Sequence, residues 1–123
     1  MAGEPTDSYE DIAHVRSIYS KLLNATDRHD IEGILKALEM GADINQLHPD
    51  VGLAALHVAV GNNDIILCRF LIEDFGAEFF PDRFGRWPTL IAAECRVDEA
   101  LCDYIVEQEA RALGQDTLAE VRE

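Results

Sequence analysis

Two stretches of this chain repeat one pattern. Gly52-Leu-Ala-Ala-Leu-His-Val-Ala-Val60 and Gly85-Arg-Trp-Pro-Thr-Leu-Ile-Ala-Ala93 each begin with a glycine, cross a short turn and enter a segment of small apolar residues, with their glycines 33 positions apart. A second phrase, Gly41-Ala-Asp-Ile-Asn45, returns as Gly76-Ala-Glu-Phe-Phe80 after the next amphipathic segment. Self-similarity at a period of about 20 to 50 residues is the mark of stacked units, because each unit alone cannot bury its apolar face. A stack of this kind presents surfaces more readily than it builds a closed active site.

Helix signals fill the intervals. Residues 1–7 read as a loose N-terminal tail, after which Asp7 or Ser8 can cap a first helix whose apolar positions, Ile12, Val15, Ile18, Tyr19, Leu22 and Leu23, fall at spacings of three and four up to about Asp27. Asp30 caps a second helix with Ile31, Ile34, Leu35 and Leu38 on one face, and Gly41 ends it. A short third helix from about Ala54 to Val60 stops at Gly61-Asn-Asn63. Asp64 caps a fourth, which is apolar nearly all round and so must be covered on more than one side. Pro88 suits the first turn of a fifth helix running to about Cys95. Asp98 caps a sixth that Gly114 can end, with Asp116-Thr-Leu-Ala-Glu-Val121 adding a short final helix. No strand is expected, so the fold class is all-α. With 123 residues the chain has room for one domain, 8–123.

These motifs resemble the ankyrin repeat. The family's Gly-x-Thr-Pro-Leu-His-x-Ala-Ala phrase is matched by Gly52, Leu56, His57 and Ala59 in one copy and by Gly85, Pro88, Ala92 and Ala93 in the other. Its closing Gly-Ala-Asp-x-Asn is complete at Gly41, Ala42, Asp43 and Asn45, and half kept at Gly76 and Ala77. The resemblance covers about residues 17–112 and implies an all-α solenoid of about three helix-turn-helix repeats, at about 8–49, 50–81 and 82–115, with divergent capping units at both ends. The sequence departs from the family in several places. The turn's capping threonine is Ala54 in one copy and Trp87 in the other, Leu90 stands where the family has histidine, and one extra residue sits in Ile72-Glu-Asp-Phe-Gly76.

The resemblance implies protein binding without catalysis, through turn tips and the exposed side of the short inner helices. Carried over position by position, that surface is Asp27 and Arg28 in the first repeat, Asp50, Val51, Leu53, Gly61 and Asn62 in the second, and Arg83, Phe84, Arg86 and Glu94 in the third. The third turn stands out on composition as well, since Phe79, Phe80, Phe84 and Trp87 are interleaved with Arg83 and Arg86, a mix in which interface hot spots are enriched. Phe79 and Trp87 suit the core or a cap over the last helix pair as well as they suit an interface, whereas Phe84 and Arg86 favour the interface. His57 matches the histidine that braces the turn in the family. Asn45 matches the asparagine that is hydroxylated in some animal members.

Composition bounds the partners. The net charge is −14, from 24 acidic and 10 basic residues, which opposes binding to nucleic acid or to anionic membrane. That acidity points to a basic protein partner, as for a small inhibitor or immunity-type protein, or simply to solubility. No apolar run is long enough to span a bilayer and the acidic N-terminus is no signal peptide, so a cytoplasmic location is expected. Cys68, Cys95 and Cys102 form no disulfide framework and read as buried free thiols. His14, His29 and His48 share no motif, and no phosphate loop or nucleophile motif occurs, so no enzyme activity, cofactor or metal is expected. Asn24-Ala-Thr26 fits a glycosylation sequon but lies inside a helix. A different reading of the same chain is a self-associating unit, monomer or weak homodimer, that buries a terminal repeat against a second copy.

Overall fold

The computed structural model describes the backbone of residues 4–122 and the side chains of residues 12–114. Six helices follow in order: α1 (Glu4–Asp27), α2 (Ile31–Glu39), α3 (Ala55–Gly61), α4 (Ile65–Arg69, continuing as a π-helical segment Phe70–Asp74), α5 (Pro88–Cys95) and α6 (Glu99–Arg122). Among the described residues there is no strand, and the protein is all-α. No helix there is long and apolar enough to cross a membrane.

The inner row is α1, α3 and α5, each packed on the next, and each inner helix carries an outer partner: α2, α4 and α6 respectively. Small residues bring the inner helices close, since Ala55, Ala59 and Ala92 are all buried where α3 meets its neighbours. Leu22, Ile34, Leu67, Leu71, Leu101 and Ile105 supply most of the bulk between the rows and are almost wholly enclosed, each contributing about 2 kcal/mol by leaving water.

The turn from inner to outer helix is built the same way three times. His29, Asn63 and Arg96 adopt left-handed backbone, with φ of 58°, 60° and 54°. Beyond each, a main-chain N–H reaches back five residues to an alanine carbonyl: Asp30 to Ala25 (2.8 Å), Asp64 to Ala59 (3.1 Å) and Val97 to Ala92 (3.2 Å). Asp30 and Asp64 then cap the outer helices as expected, accepting from the N–H of Gly33 and of Leu67 at 3.1 Å each.

Side chains tie together turns that lie far apart in sequence. The Asn62 amide donates to Asp27 (2.8 Å), His29 pairs with Asp64 (2.6 Å), the Glu78 N–H donates to Asn45 (2.7 Å) and the Asp98 N–H donates to Asn63 (2.9 Å). These partners lie 33 to 35 residues apart. The period that is visible in the sequence therefore recurs in the hydrogen bonds.

The extra residue before Gly76 has a definite form. After α2 the Ala42 N–H bonds to the Ala37 carbonyl five residues back; after α4 the equivalent Ala77 N–H reaches the Leu71 carbonyl, six back. The π-helical segment widens the helix by one residue per turn and absorbs the insertion while Leu71 stays in the core.

Several sequence expectations need correction. α1 begins at Glu4, inside the expected tail, because Pro5 in a first turn has no N–H for the helix to miss. Gly114 does not end α6 and no separate final helix forms. A lone glycine costs about 1 kcal/mol in a helix, and the good helix formers Arg111, Ala112, Leu113 and Gln115 around it offset that. Ile66 is 68% exposed on the outer side of α4, so that helix is not covered all round. Of the three thiols only Cys68 is buried; Cys95 closes α5 at the surface and Cys102 is half-buried on α6.

Candidate functional site: a locked turn tip and the groove beside it

Two turn tips lead into α3 and α5, and each is organised around one buried side chain. In the tip 82–86 that residue is Asp82. Its Oδ1 accepts from the N–H groups of Phe84 (2.8 Å) and Arg86 (2.9 Å), and its Oδ2 accepts from Arg86 Nε at 2.8 Å. The main chain closes the tip through Asp82 N–H to the Arg86 carbonyl (2.9 Å) and Gly85 N–H to the Asp82 carbonyl (3.0 Å). Burial works against the ionised carboxyl, but the bonds from the Arg86 N–H, the Arg86 guanidinium and the Phe84 N–H outweigh it. The net effect holds Asp82 below the ordinary carboxylate range.

In the tip 48–53 the anchor is His48. Its Nδ1 accepts from the N–H groups of Asp50 (3.0 Å) and Val51 (3.3 Å), which leaves the proton on Nε2 to be donated to Ser20 Oγ at 2.9 Å. The His48 N–H bonds to the Leu53 carbonyl (2.8 Å), the counterpart of the Asp82–Arg86 bond. An imidazole and a carboxylate thus do the same job in tips that differ by one residue in length. The two tips also touch: the Arg83 N–H donates to the Gly52 carbonyl at 2.9 Å. A Cβ on Gly52, where φ is +77°, would lie 2.4 Å from the Arg83 Cβ.

His57 braces the second copy in the expected way. Nδ1 accepts from the Ala54 N–H, the helix start that lacks a capping side chain, and Nε2 donates to the Phe80 carbonyl, both at 2.9 Å. The Phe80 ring stands edge-on to the imidazole at 5.6 Å. Burial pushes the pKa of His57 below its ordinary 6.5, with the Phe80 carbonyl and Asp82 pulling partly the other way. Leu90 occupies the same place in the next copy and is exposed, so the third tip depends on Asp82 for its bracing.

The locked tip holds Phe84 outward, 66% exposed, with the Arg83 and Arg86 guanidiniums 5.3 and 5.6 Å from its ring centre. From Arg86 a groove of about 400 Å³ runs across α5, α3 and α1. Leu53, Val58 and Ile91 make its apolar floor, and Asp27 and Asn62 stand at the far end.

Of the eleven residues expected to contact a partner, Asp27, Val51, Leu53, Gly61, Asn62 and Arg86 line this groove together. Glu94 joins its rim through Arg86, 3.7 Å away, and Phe84 and Arg83 continue it outward. Asp50 lies beside Val51 but is paired to Arg16 at 3.4 Å. Arg28 is elsewhere. It follows the last residue of α1 and opens with Lys21 and Lys36 into a separate depression between α1 and α2. Arg86 is itself part of the tip's framework, so its substitution disturbs the loop as well as the surface. Phe79 is partly buried against the core, and Trp87 is half-buried at the start of α5.

Leu23, Asn24, Val58, Ile91 and Cys95 also line the groove and were not anticipated. Nor were the two anchors. Asp82 carries a readable signal, an aspartate three residues before a glycine, whose side chain commonly takes the N–H two residues on. His48 carries none, because its partner Ser20 is 28 residues away. Elsewhere, burial, with Asp64 adding to it, pushes the Cys68 thiol up to about 12. Glu73 is held below the ordinary range by the Tyr104 hydroxyl at 2.7 Å and by Arg69. Among the described residues no three His, Cys, Asp or Glu side chains converge as a metal site requires.

No protein-family model matches the chain. Over 79 residues it is 32% identical to oxysterol-binding protein homolog 1 of Saccharomyces cerevisiae, a stretch that takes in 63% of this chain. The match covers 7% of the length of that relative.

Proposed function

We propose that the chain is a short repeat stack of the ankyrin type that binds a protein partner, without catalysis, through the tip at Phe84 and the adjoining groove. The observation that carries this reading is the locked tip. Asp82 draws three hydrogen bonds into the loop, and what the loop presents is a large aromatic ring between two guanidiniums, left in water. An aromatic side chain already fixed in place loses little freedom on binding, so more of its burial is realised as affinity. The three matching turns and the ties at 33 to 35 residues support the repeat reading, as does the partial likeness over 79 residues. Oxysterol, named in that relative, is not carried across, since the likeness spans so little of that protein. An acidic adaptor or inhibitor for a basic partner remains the expectation for the chain as a whole, with the cytoplasm as its setting.

Capture from extract of the source cells tests this. The wild-type chain is expected to retain a partner that Arg83→Ala with Phe84→Ala does not, while far-ultraviolet circular dichroism stays unchanged. Equal retention by both proteins overturns the assignment of the tip.

A second reading, self-association, is favoured by one feature. Leu90, Val106 and Leu113, on α5 and α6 at the end of the stack, are each between 44% and 54% exposed. Light scattering over a concentration series separates the readings. A constant monomer mass removes self-association.

A further inference from the structure

The chain is strongly acidic, yet one depression on it is rimmed by cations. Between α1 and α2 lies a hollow of about 370 Å³ whose rim carries Lys21, Arg28 and Lys36. The chain has two lysines and both are here. Among the described residues, Arg16, Arg69, Arg86 and Arg111 each lie within 4.0 Å of a carboxylate, whereas these three cations, like Arg83 and Arg96, do not. All three are exposed, and with Asp30 as the one carboxylate in the lining the hollow carries a local excess of positive charge on an acidic chain.

The floor is apolar and shallow. A Cβ on Gly33 would lie 2.9 Å from the Ala25 Cβ, so α1 and α2 pass in close contact there. Ala37 extends the floor, and Met40, 44% exposed, closes one end. Asp30 also borders the hollow, and one of its oxygens caps α2 by accepting from the Gly33 N–H. Its negative charge opposes a compact polyanion such as phosphate, which would sit close to all groups at once. A longer occupant can set its charges at the rim and keep clear of Asp30.

Arg28 follows the last residue of α1, but its N–H still bonds to the Asn24 carbonyl at 3.1 Å, so it keeps the helical path and lies about 10.5 Å along the axis from Lys21. Carboxylates two helical turns apart on another helix match that spacing. Asn24 borders both this hollow and the groove beside α3, and the two linings share no other residue.

We infer that the α1/α2 face docks an acidic helical segment of a protein partner, with two carboxylates seven residues apart on Lys21 and Arg28, a third group on Lys36, and a small apolar side chain over Ala25, Ala37 and Met40. This surface is distinct from the Phe84 tip and selects a partner of the opposite charge to the one that the chain's overall acidity invites. It does not depend on the tip assignment.

The test uses the full chain and a synthetic helical peptide with glutamates at positions i, i+3 and i+7 and alanine or leucine between them. A control peptide of identical composition spreads the same glutamates around the helix. Binding is read by fluorescence anisotropy at low and moderate salt. The matched peptide is expected to bind at least about tenfold more tightly than the control, and Lys21→Ala with Arg28→Ala and Lys36→Ala is expected to remove that preference. Phe84→Ala is expected to leave it intact. The three cations are exposed, and an unchanged circular dichroism spectrum verifies that the triple variant is folded. Equal binding of the two peptides overturns the inference, as does a preference that survives in the triple variant. Saturable displacement of the matched peptide by inorganic phosphate at similar affinity, by anionic vesicles, or by a second copy of the chain would also overturn it.

Discussion

Asp82→Asn asks whether the tip is held by one buried carboxylate. Asparagine keeps an oxygen that can still accept from the Phe84 and Arg86 N–H groups, but it turns an NH2 toward the Arg86 guanidinium where Oδ2 had accepted at 2.8 Å. The loss is one charge-assisted hydrogen bond, about 1.5–3 kcal/mol when enclosed. Arg86 is 37% exposed and water screens the pair, so about 1–1.5 kcal/mol is expected. Asp82→Ala also strands two main-chain donors and is expected to cost about 3 kcal/mol. Urea unfolding followed by the fluorescence of Trp87, next to Arg86 and the single tryptophan, measures both. Hydrogen exchange at the Phe84 and Arg86 amides should quicken in parallel. The pH dependence has a fixed sign. Because the folded carboxyl lies below its ordinary 3.8, its contribution is complete above that value and is lost as pH falls through the lower, folded value. The gap between wild type and Asp82→Asn should therefore close at strongly acid pH. Asparagine as stable as wild type at neutral pH, with unaltered exchange at both amides, would refute the reasoning.

Three further expectations concern the framework. His57→Ala leaves the Ala54 N–H and the Phe80 carbonyl without partners and opens a cavity, for a loss of about 2–4 kcal/mol by urea unfolding. Since the folded His57 titrates below 6.5, wild-type stability should decline as pH drops from that value, and the decline should be smaller in the variant. Gly52→Ala meets both a strained φ and the Arg83 Cβ at 2.4 Å, so it should lose about 2 kcal/mol, against about 1 for Gly41→Ala, which has nothing within 4 Å. Deleting Asp74 should let the π-helical segment revert to regular helix with less than about 1 kcal/mol lost, whereas deleting Lys36 from α2, which has no spare residue, should be far more damaging.

Much of the helix order could be read from single residues whose effects are local. Asp30 and Asp64 cap, Gly41 terminates and Pro88 initiates, each through its own backbone or the next turn. Contacts made across the fold were not legible. The extra residue before Gly76 could be counted, but its π-helical form depends on Leu71 staying in the core while Ala77 reaches back to it. Gly114 looked like a terminator because the sequence does not show how much its neighbours favour helix. Arg28 was assigned to the groove by position in the repeat, yet it falls beyond the end of α1 and turns to the other side. Arg86 was expected as free surface, and the buried carboxylate that engages it could be found only by pairing it with Asp82.

The most direct test of the central claim is amide chemical-shift mapping of the isotope-labelled chain with the captured partner's binding segment. The account predicts perturbations at 83–86, at the groove positions Leu53, Val58 and Asn62, and at Ile91 and Cys95 on α5. Perturbations confined to the outer faces of α2 and α4, with Phe84 and the groove unmoved, would contradict it.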